Sequence, residues 1–305
     1  MKKLKIFLAF LFALVILTGC EADISVPGET GQDIITAKKA LKIIADENVI
    51  VIDTQKSRAY KDQHLRGAVN IGRNDVTVLG PFPNMLAPAS KVEKSLGENG
   101  VSNATKILIY DNNNNMDAAR LWWTLLVYGH SPTQMQVISG GLQALQEAGG
   151  EITDRLPEIT AAEYKIESKN TELIADKAEV LAQANNPQEN VAILDVRTQA
   201  EVSQGIVPGA IHLNYVENIN DKGEYYPVSY MQRLYPDHNL TPDKTIIMYC
   251  QTSIRAAQTF LALHNAGYRD LKLYDGAWIE WSSDSSTPKA MPSGAPAAAT
   301  KQDAS

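Results

Sequence analysis

The chain repeats itself, and the repeat leaves few folds open. Val49-Ile-Val-Ile-Asp53 matches Val191-Ala-Ile-Leu-Asp195 at an offset of 142 residues, and Gly67-Ala68-Val69-Asn70 matches Gly209-Ala210-Ile211-His212 at the same offset. Lys106-Ile-Leu-Ile-Tyr110 matches Thr245-Ile-Ile-Met-Tyr249 at 139, Ala118-Ala119 matches Ala256-Ala257 at 138, Gly129 matches Gly267 at 138, and Gly140-Gly141 aligns with Asp275-Gly276 at 135. Matches that stay in order while the offset drifts by a few residues are what a duplicated domain leaves behind. The matched apolar runs are continuous rather than alternating, so each reads as a strand buried on both faces. Between them the pattern predicts helices over 36–46, 118–128, 177–184 and 256–266, with Gly129 and Gly267 where a helix needs a left-handed C-terminal residue. Strands alternating with helices predict an α/β fold: two homologous domains, each a parallel sheet with helices on both faces.

The domains are placed at 34–150 and 171–288, joined by a linker over 151–170 that carries Pro157 and many charges. At 44% hydrophobic residues, a chain of 305 has enough apolar mass for two cores. Residues 289–305 turn to Ser, Pro and Ala and are expected to be disordered. At the other end, Lys2, Lys3 and Lys5 precede an apolar run from Ile6 to Leu17, the pattern of an export signal. The run closes on Leu17-Thr18-Gly19-Cys20, which resembles the lipobox of bacterial lipoproteins. That resemblance implies a signal over 1–20, lipidation of Cys20, and attachment to a cell-envelope membrane on its outer side. Residues 21–33, with Pro27, Gly28 and Gly31, then read as a flexible spacer.

Without its first 20 residues the chain loses three lysines and carries 25 basic against 35 acidic residues, a net of −10. Such a charge argues against nucleic acid as a partner. With Cys20 acylated, Cys250 is the single remaining thiol and no intramolecular disulfide can form. His64, His130, His212, His238 and His264 have no metal-ligand spacing.

Cys250 sits where chemistry is expected in this class of sheet. Thr245-Ile-Ile-Met-Tyr249 ends on it, Gln251, Thr252 and Ser253 follow, and a helix begins near Ile254 and Arg255. Ligands of parallel sheets bind beyond the carboxyl ends of the strands, and a helix N-terminus turns free N–H groups toward them. The 251–254 backbone can therefore cradle an anion beside a thiolate, and Arg255 can close the loop with a fixed charge. The plain alternatives are a buried cysteine acting as a small hydrophobe and a solvent-facing arginine. Because the position reads as loop and not core, Cys250→Ala is expected to remove chemistry without unfolding the chain.

Together with this loop, Asp195-Val-Arg197, Val207-Pro-Gly-Ala210 and Tyr274-Asp-Gly-Ala-Trp278-Ile-Glu-Trp281 resemble the tandem-domain rhodanese, or thiosulfate/3-mercaptopyruvate sulfurtransferase, family. In the first half, Tyr110-Asp111, Ala119-Arg-Leu-Trp-Trp123 and Val127-Tyr-Gly-His130 are similar to the non-catalytic domain of those enzymes. The resemblance implies sulfur transfer through a Cys250 persulfide: a small anionic donor such as thiosulfate loads the cysteine, and cyanide or a thiol removes the sulfur. It implies no metal or organic cofactor. Substrate contacts fall to Gln251, Thr252, Ser253, Ile254, Arg255 and Arg197, with Asp275 and Trp278 walling the cleft; Arg197 reads equally well as a structural partner of Asp195 or Glu201.

The repeat puts Asp111 opposite Cys250, and a carboxylate cannot accept a sulfur atom, so only the second domain is expected to be catalytic. Trp122 and Trp123 are expected to be core. The loop also separates enzyme classes. Cys250 to Arg255 is Cys-x4-Arg, whereas cysteine phosphatases use the wider Cys-x5-Arg, so phosphatase or arsenate reductase chemistry is disfavoured. The remaining alternative is a non-catalytic envelope scaffold or sulfur-carrier module. Two departures bear on the donor: Ile206 replaces a common histidine, and Glu201 stands where the thiosulfate enzymes place a second substrate arginine, which leaves Arg255 and Arg197 to supply the positive charge.

Overall fold

The computed structural model describes residues 31–46 and 49–291. The first half runs β1 (Ile34–Thr36), α1 (Ala37–Asp46), β2 (Val49–Asp53), α2 (Ser57–Asp62), β3 (His64–Leu65), β4 (Val69–Asn70), α3 (Arg73–Val76), β5 (Thr77–Val78), β6 (Met85–Leu86), α4 (Ala89–Glu98), β7 (Lys106–Tyr110), α5 (Met116–Val127), β8 (Met135–Ser139), α6 (Gly141–Glu147) and β9 (Ile152–Thr153). The second runs β10 (Ile174–Ala175), α7 (Lys177–Asn185), β11 (Val191–Asp195), α8 (Gln199–Val202), β12 (Ile211–His212), α9 (Val228–Asp237), β13 (Thr245–Tyr249), α10 (Ile254–Asn265), β14 (Leu271–Tyr274) and α11 (Ala277–Ser283).

Each half builds a five-stranded sheet of the same order, β1-β8-β7-β2-β4 and β10-β14-β13-β11-β12, with every pair parallel. The strands are apolar throughout because both faces are covered. Ile107 and Ile109 of β7 enter one core while Leu108 and Tyr110 enter another on the opposite face. In β13, Ile246 and Met248 divide in the same way from Ile247 and Tyr249. Alternation by two along a pleated strand sends neighbours to opposite sides.

One of these cores is shared by the two halves. α5 and α10 pack against each other, and Trp122 of α5 lies 6.5 Å from Phe260 and 5.1 Å from His264, ring centre to ring centre. Both helices are apolar almost all round because each is covered by its own sheet on one side and by the other helix on the other. Trp122 and Trp123 are fully buried there.

The repeat holds through the sheets with one change of register. Main-chain N–H groups of Leu142 and Trp278 donate to the equivalent carbonyls of Asp111 and Cys250, so Gly141 corresponds to Ala277 and not to Gly276. The Gly-Gly alignment made on residue identity is therefore one residue out. Gly129 and Gly267 take the expected positive φ, at 80° and 99°.

The signal, Cys20 and most of the spacer lie outside the described residues. The end of the spacer is docked: Gly31 N–H donates to the Asn265 carbonyl at 2.7 Å, and His264 Nδ1 lies 2.7 Å from Asp33. The linker lies back along the first domain, where the N–H of Ala162 bonds Gly97 and that of Ile166 bonds Glu93. Of the expected disordered tail, Ala290 belongs to the folded body, exchanging two 2.9 Å backbone bonds with the buried Ile206. Residues 292–305 lie outside the described residues. Among the described residues no helix is long and apolar enough to cross a membrane.

Candidate active site

Cys250 leaves the carboxyl end of β13 and opens a four-residue loop that ends at Ser253, the N-cap of α10. Three neighbours set the path of this loop. α11 donates two main-chain bonds into it, Trp278 N–H to Cys250 O at 2.9 Å and Ile279 N–H to Gln251 O at 3.2 Å. Ser253 takes φ +66°, and its hydroxyl donates to the carbonyl of Asp275. Asn84, from the first domain, donates its side-chain N–H to the Thr252 hydroxyl at 2.9 Å.

The first domain shows what such a loop is shaped to hold. Asp111 occupies the Cys250 position, and its carboxylate accepts four main-chain N–H bonds, from Asn113 and Asn115 on one oxygen and from Asp117 and Ala118 on the other, at 2.8–3.1 Å. Burial and the nearby Asp117 push the Asp111 pKa up to about 6, against the pull of these N–H groups. The equivalent N–H groups of Ser253, Arg255 and Ala256 at the head of α10 have no hydrogen-bond acceptor among the described residues. The position that a built-in carboxylate fills in one domain is held by a free, buried cysteine in the other.

Several expected site residues have other partners. Cys250 is 1% exposed and belongs to the shared core, so the expectation of a loop position outside the core is corrected: the loop is folded over by α11 and by the first domain. Arg197 is buried. Its guanidinium pairs with Asp195 at 2.6–3.0 Å, donates to Gly205 O, and stacks 4.1 Å from the Trp278 ring. The first domain repeats this network with Gln55 bonded to Asp53. Asn70 donates to Gln55 O as His212 bonds Arg197 O, and Tyr110 and Tyr249 each accept a main-chain N–H at the hydroxyl. Arg197 is thus tied to Asp195 and Gly205 in this structure, as Gln55 is tied to Asp53.

Asp275 also has partners within the protein. Its carboxylate accepts from Leu86 N–H at 2.7 Å and pairs with Arg120 at 2.8 Å, both in the first domain. Trp278 is buried against Arg197 and Tyr249 and serves the loop through its main-chain N–H. Gln251 and Thr252 are half-buried, while Ile254 is buried at the start of α10.

Arg255 stays beside the thiol but not free. Its two terminal nitrogens bond the two carboxylate oxygens of Glu201, each at 2.6 Å. Burial works against its charge, but these bonds and the neighbouring Cys250 outweigh it and raise its pKa. Sequence reasoning placed Glu201 as a missing arginine and did not see the pair. It also missed Asn84 and Arg120. Arg120 carried a readable signal, the one charge between Ala118 and Val127 in a mostly apolar stretch of α5, which has to find a buried partner.

Set against known proteins, this arrangement has clear kin. The Rhodanese-like domain family matches residues 36–148 and again 176–284. The chain belongs to the rhodanese-like family as a tandem of two such domains. It is 28% identical over 252 residues to the 3-mercaptopyruvate sulfurtransferase of Escherichia coli, covering 77% of this chain and 86% of that one. It is 25% identical over 279 residues to a Mycobacterium bovis protein to which thiosulfate sulfurtransferase activity is ascribed, covering 86% of this chain and 95% of that one. Its fold is that of an anaerobic ergothioneine biosynthesis enzyme from Chlorobium limicola solved with trimethyl histidine, with TM-score 0.76 and 19% identity over 85% of this chain and 70% of the other.

Proposed function

We propose that the chain is a sulfurtransferase that carries sulfur as a persulfide on Cys250. The observation that carries this reading is the substitution at one place in the repeat: Cys250 replaces the carboxylate of Asp111 at the foot of a cradle of main-chain N–H groups. The Cys250 thiolate attacks the outer sulfur of a donor such as thiosulfate, the sulfur–sulfur bond breaks, and sulfite leaves with the electron pair. The sulfur left on Cys250 bears negative charge, which the N–H groups of Ser253, Arg255 and Ala256 are placed to stabilise. A thiol or cyanide then attacks that sulfur and restores the thiolate. Arg255, paired with Glu201, stands at the side of the thiol, and α11 fixes the carbonyl of Cys250. The first domain cannot take sulfur at Asp111, and contributes Asn84, Leu86 and Arg120 to the shape of the loop. Family membership and the sulfurtransferase relatives support transfer chemistry, and the Cys-x4-Arg span favours a sulfur over a phosphate.

The same reading places the protein outside the cytoplasm, held to a membrane by acylated Cys20, on the strength of the basic, apolar and Leu-Thr-Gly-Cys segments in succession. Two experiments test these statements. Purified protein is expected to form thiocyanate from thiosulfate and cyanide, and Cys250→Ala to form none; equal rates from both proteins exclude Cys250 as the carrier. Cys20→Ser is expected to move the protein from the membrane to the soluble fraction, and unchanged fractionation contradicts the anchor.

A further inference from the structure

Three arginines stand around the Cys250 loop, and each is met by a carboxylate. Arg197 is paired with Asp195, Arg120 with Asp275, and Arg255 with Glu201. The first two pairs are buried, and both carboxylates are tied by further bonds, Asp195 to the Arg197 N–H and Asp275 to the Leu86 N–H. The third pair is the one beside the thiol. Glu201 is fixed in turn by Thr198, whose hydroxyl and N–H both reach its Oε2 at 2.7 and 3.0 Å. Arg255 gives one N–H from each terminal nitrogen to Glu201, which offsets its charge, and also lies over the Tyr215 ring at 5.9 Å. The side chains on the loop itself, Gln251, Thr252 and Ser253, are neutral.

A donor arriving at Cys250 thus meets main-chain N–H groups but no uncompensated guanidinium from these three. That matters most for a dianion. The cost of bringing an ion out of water rises steeply with its charge, so a doubly charged donor depends on a cation where a neutral or singly charged one does not. We propose that Glu201 determines donor specificity: by clamping Arg255 beside Cys250 it withholds the charge a dianion needs and tunes the site to organic persulfides, R–S–SH. This rests on the sulfurtransferase reading and narrows it. In the loading step the Cys250 thiolate attacks the terminal sulfur of R–S–SH, and a new Sγ–S bond forms. The inner S–S bond breaks, R–S⁻ leaves with the electron pair, and the proton stays on the transferred sulfur. No oxidant or reductant is consumed.

The test is single-turnover loading of Cys250, followed by intact mass, with the persulfide of 2-mercaptoethanol, which carries at most one negative charge, and with thiosulfate as donors, in the wild type and in Glu201→Gln. The wild type is expected to load faster from the persulfide. Glu201→Gln, with Arg255 released, is expected to shift the ratio of the two loading rates about tenfold toward thiosulfate, through a lower KM for thiosulfate. A wild type that prefers thiosulfate, or a variant that slows both donors equally, overturns the proposal and leaves sulfur transfer intact. Loading from neither donor overturns the sulfurtransferase reading and this inference with it. A second measurement needs no variant: thiosulfate loading of the wild type is expected to change less than twofold, roughly, between low and moderate salt, because the three arginines around the loop are each paired with a carboxylate. A steep fall with salt contradicts the proposal.

Discussion

Arg120 on α5 of the first domain lies 2.8 Å from the carboxylate of Asp275, the residue whose carbonyl receives the Ser253 hydroxyl in the second domain. Arg120 also donates to the carbonyl of Asn84 at 2.9 Å, and Asn84 in turn holds Thr252. Two short paths therefore run from one buried guanidinium to the loop that carries Cys250. The first domain is part of the support of the loop that carries Cys250.

Removing one member of this pair strands the other. Arg120 is fully buried and Asp275 nearly so, and a buried charge left alone costs about 3–5 kcal/mol. Asp275→Asn and Arg120→Met are each expected to lower stability by about that amount in chemical denaturation, and to slow persulfide formation in protein that remains folded. A loss below about 1 kcal/mol would show that the pair is not a structural tie.

Asp111 is expected to behave as a cap and not as a dormant active site. Asp111→Ala leaves four main-chain N–H groups without their acceptor and is expected to cost about 2–3 kcal/mol by denaturation. Asp111→Cys is expected to gain no sulfur from any donor in a Cys250→Ala background. Its loop is one residue longer, and Asp117, itself paired with Arg73 at 2.6 Å, stands where Arg255 stands in the second domain. Sulfur gained at residue 111 would show that the shared cradle suffices, and that neither the longer loop nor Asp117 disables it.

Much of the scaffold was legible because burial on both faces is a local property of a strand. Val49–Asp53, Lys106–Tyr110, Val191–Asp195 and Thr245–Tyr249 are strands over the whole of each matched run. Cys250 was visible for the same reason, since an apolar run that stops on a cysteine before a helix marks a strand end. What was not legible is pairing at a distance. Glu201 and Arg255, Arg120 and Asp275, and Asn84 and Thr252 are 54, 155 and 168 residues apart, and no periodicity records which surface of one domain will meet the other. The place of Arg197 in the fold showed only in a comparison: Gln55 makes the equivalent bond to Asp53 in the first domain. The slip at Gly140-Gly141 came from matching glycines by identity, when Ala277 holds a φ of +57° at the position of Gly141.

The buried setting of Cys250 has a measurable consequence. Cys250→Ala is expected to cost about 1 kcal/mol through lost packing, a modest loss for a 1% exposed core residue, while transfer is abolished. Cys250→Ser buries a hydroxyl in place of the thiol and is expected to cost about 1–3 kcal/mol. Thermal melts of both variants check the order; a melt unchanged in both would place the side chain outside the core.

The clamp on Arg255 also has a pH signature. The hydrogen bonds from Arg255, with Thr198 adding and burial opposing, hold the Glu201 pKa down to about 2, below its ordinary 4.5. A carboxyl depressed in the folded state stabilises it fully above the ordinary value, and that contribution disappears as the pH falls from 4.5 toward 2. Denaturation midpoints of the wild type are therefore expected to drop over that window more than those of Glu201→Gln. Parallel acid limbs in the two proteins would show that the pair does not stabilise the fold.

The most direct test of the central claim is the mass of the Cys250 peptide after the protein is exposed to a sulfane-sulfur donor and freed of excess. The account predicts that this peptide alone gains one sulfur atom, and that cyanide removes it as an equal amount of thiocyanate. Thiocyanate production with no sulfur ever found on Cys250, or no sulfur gained from thiosulfate or an organic persulfide, would contradict it.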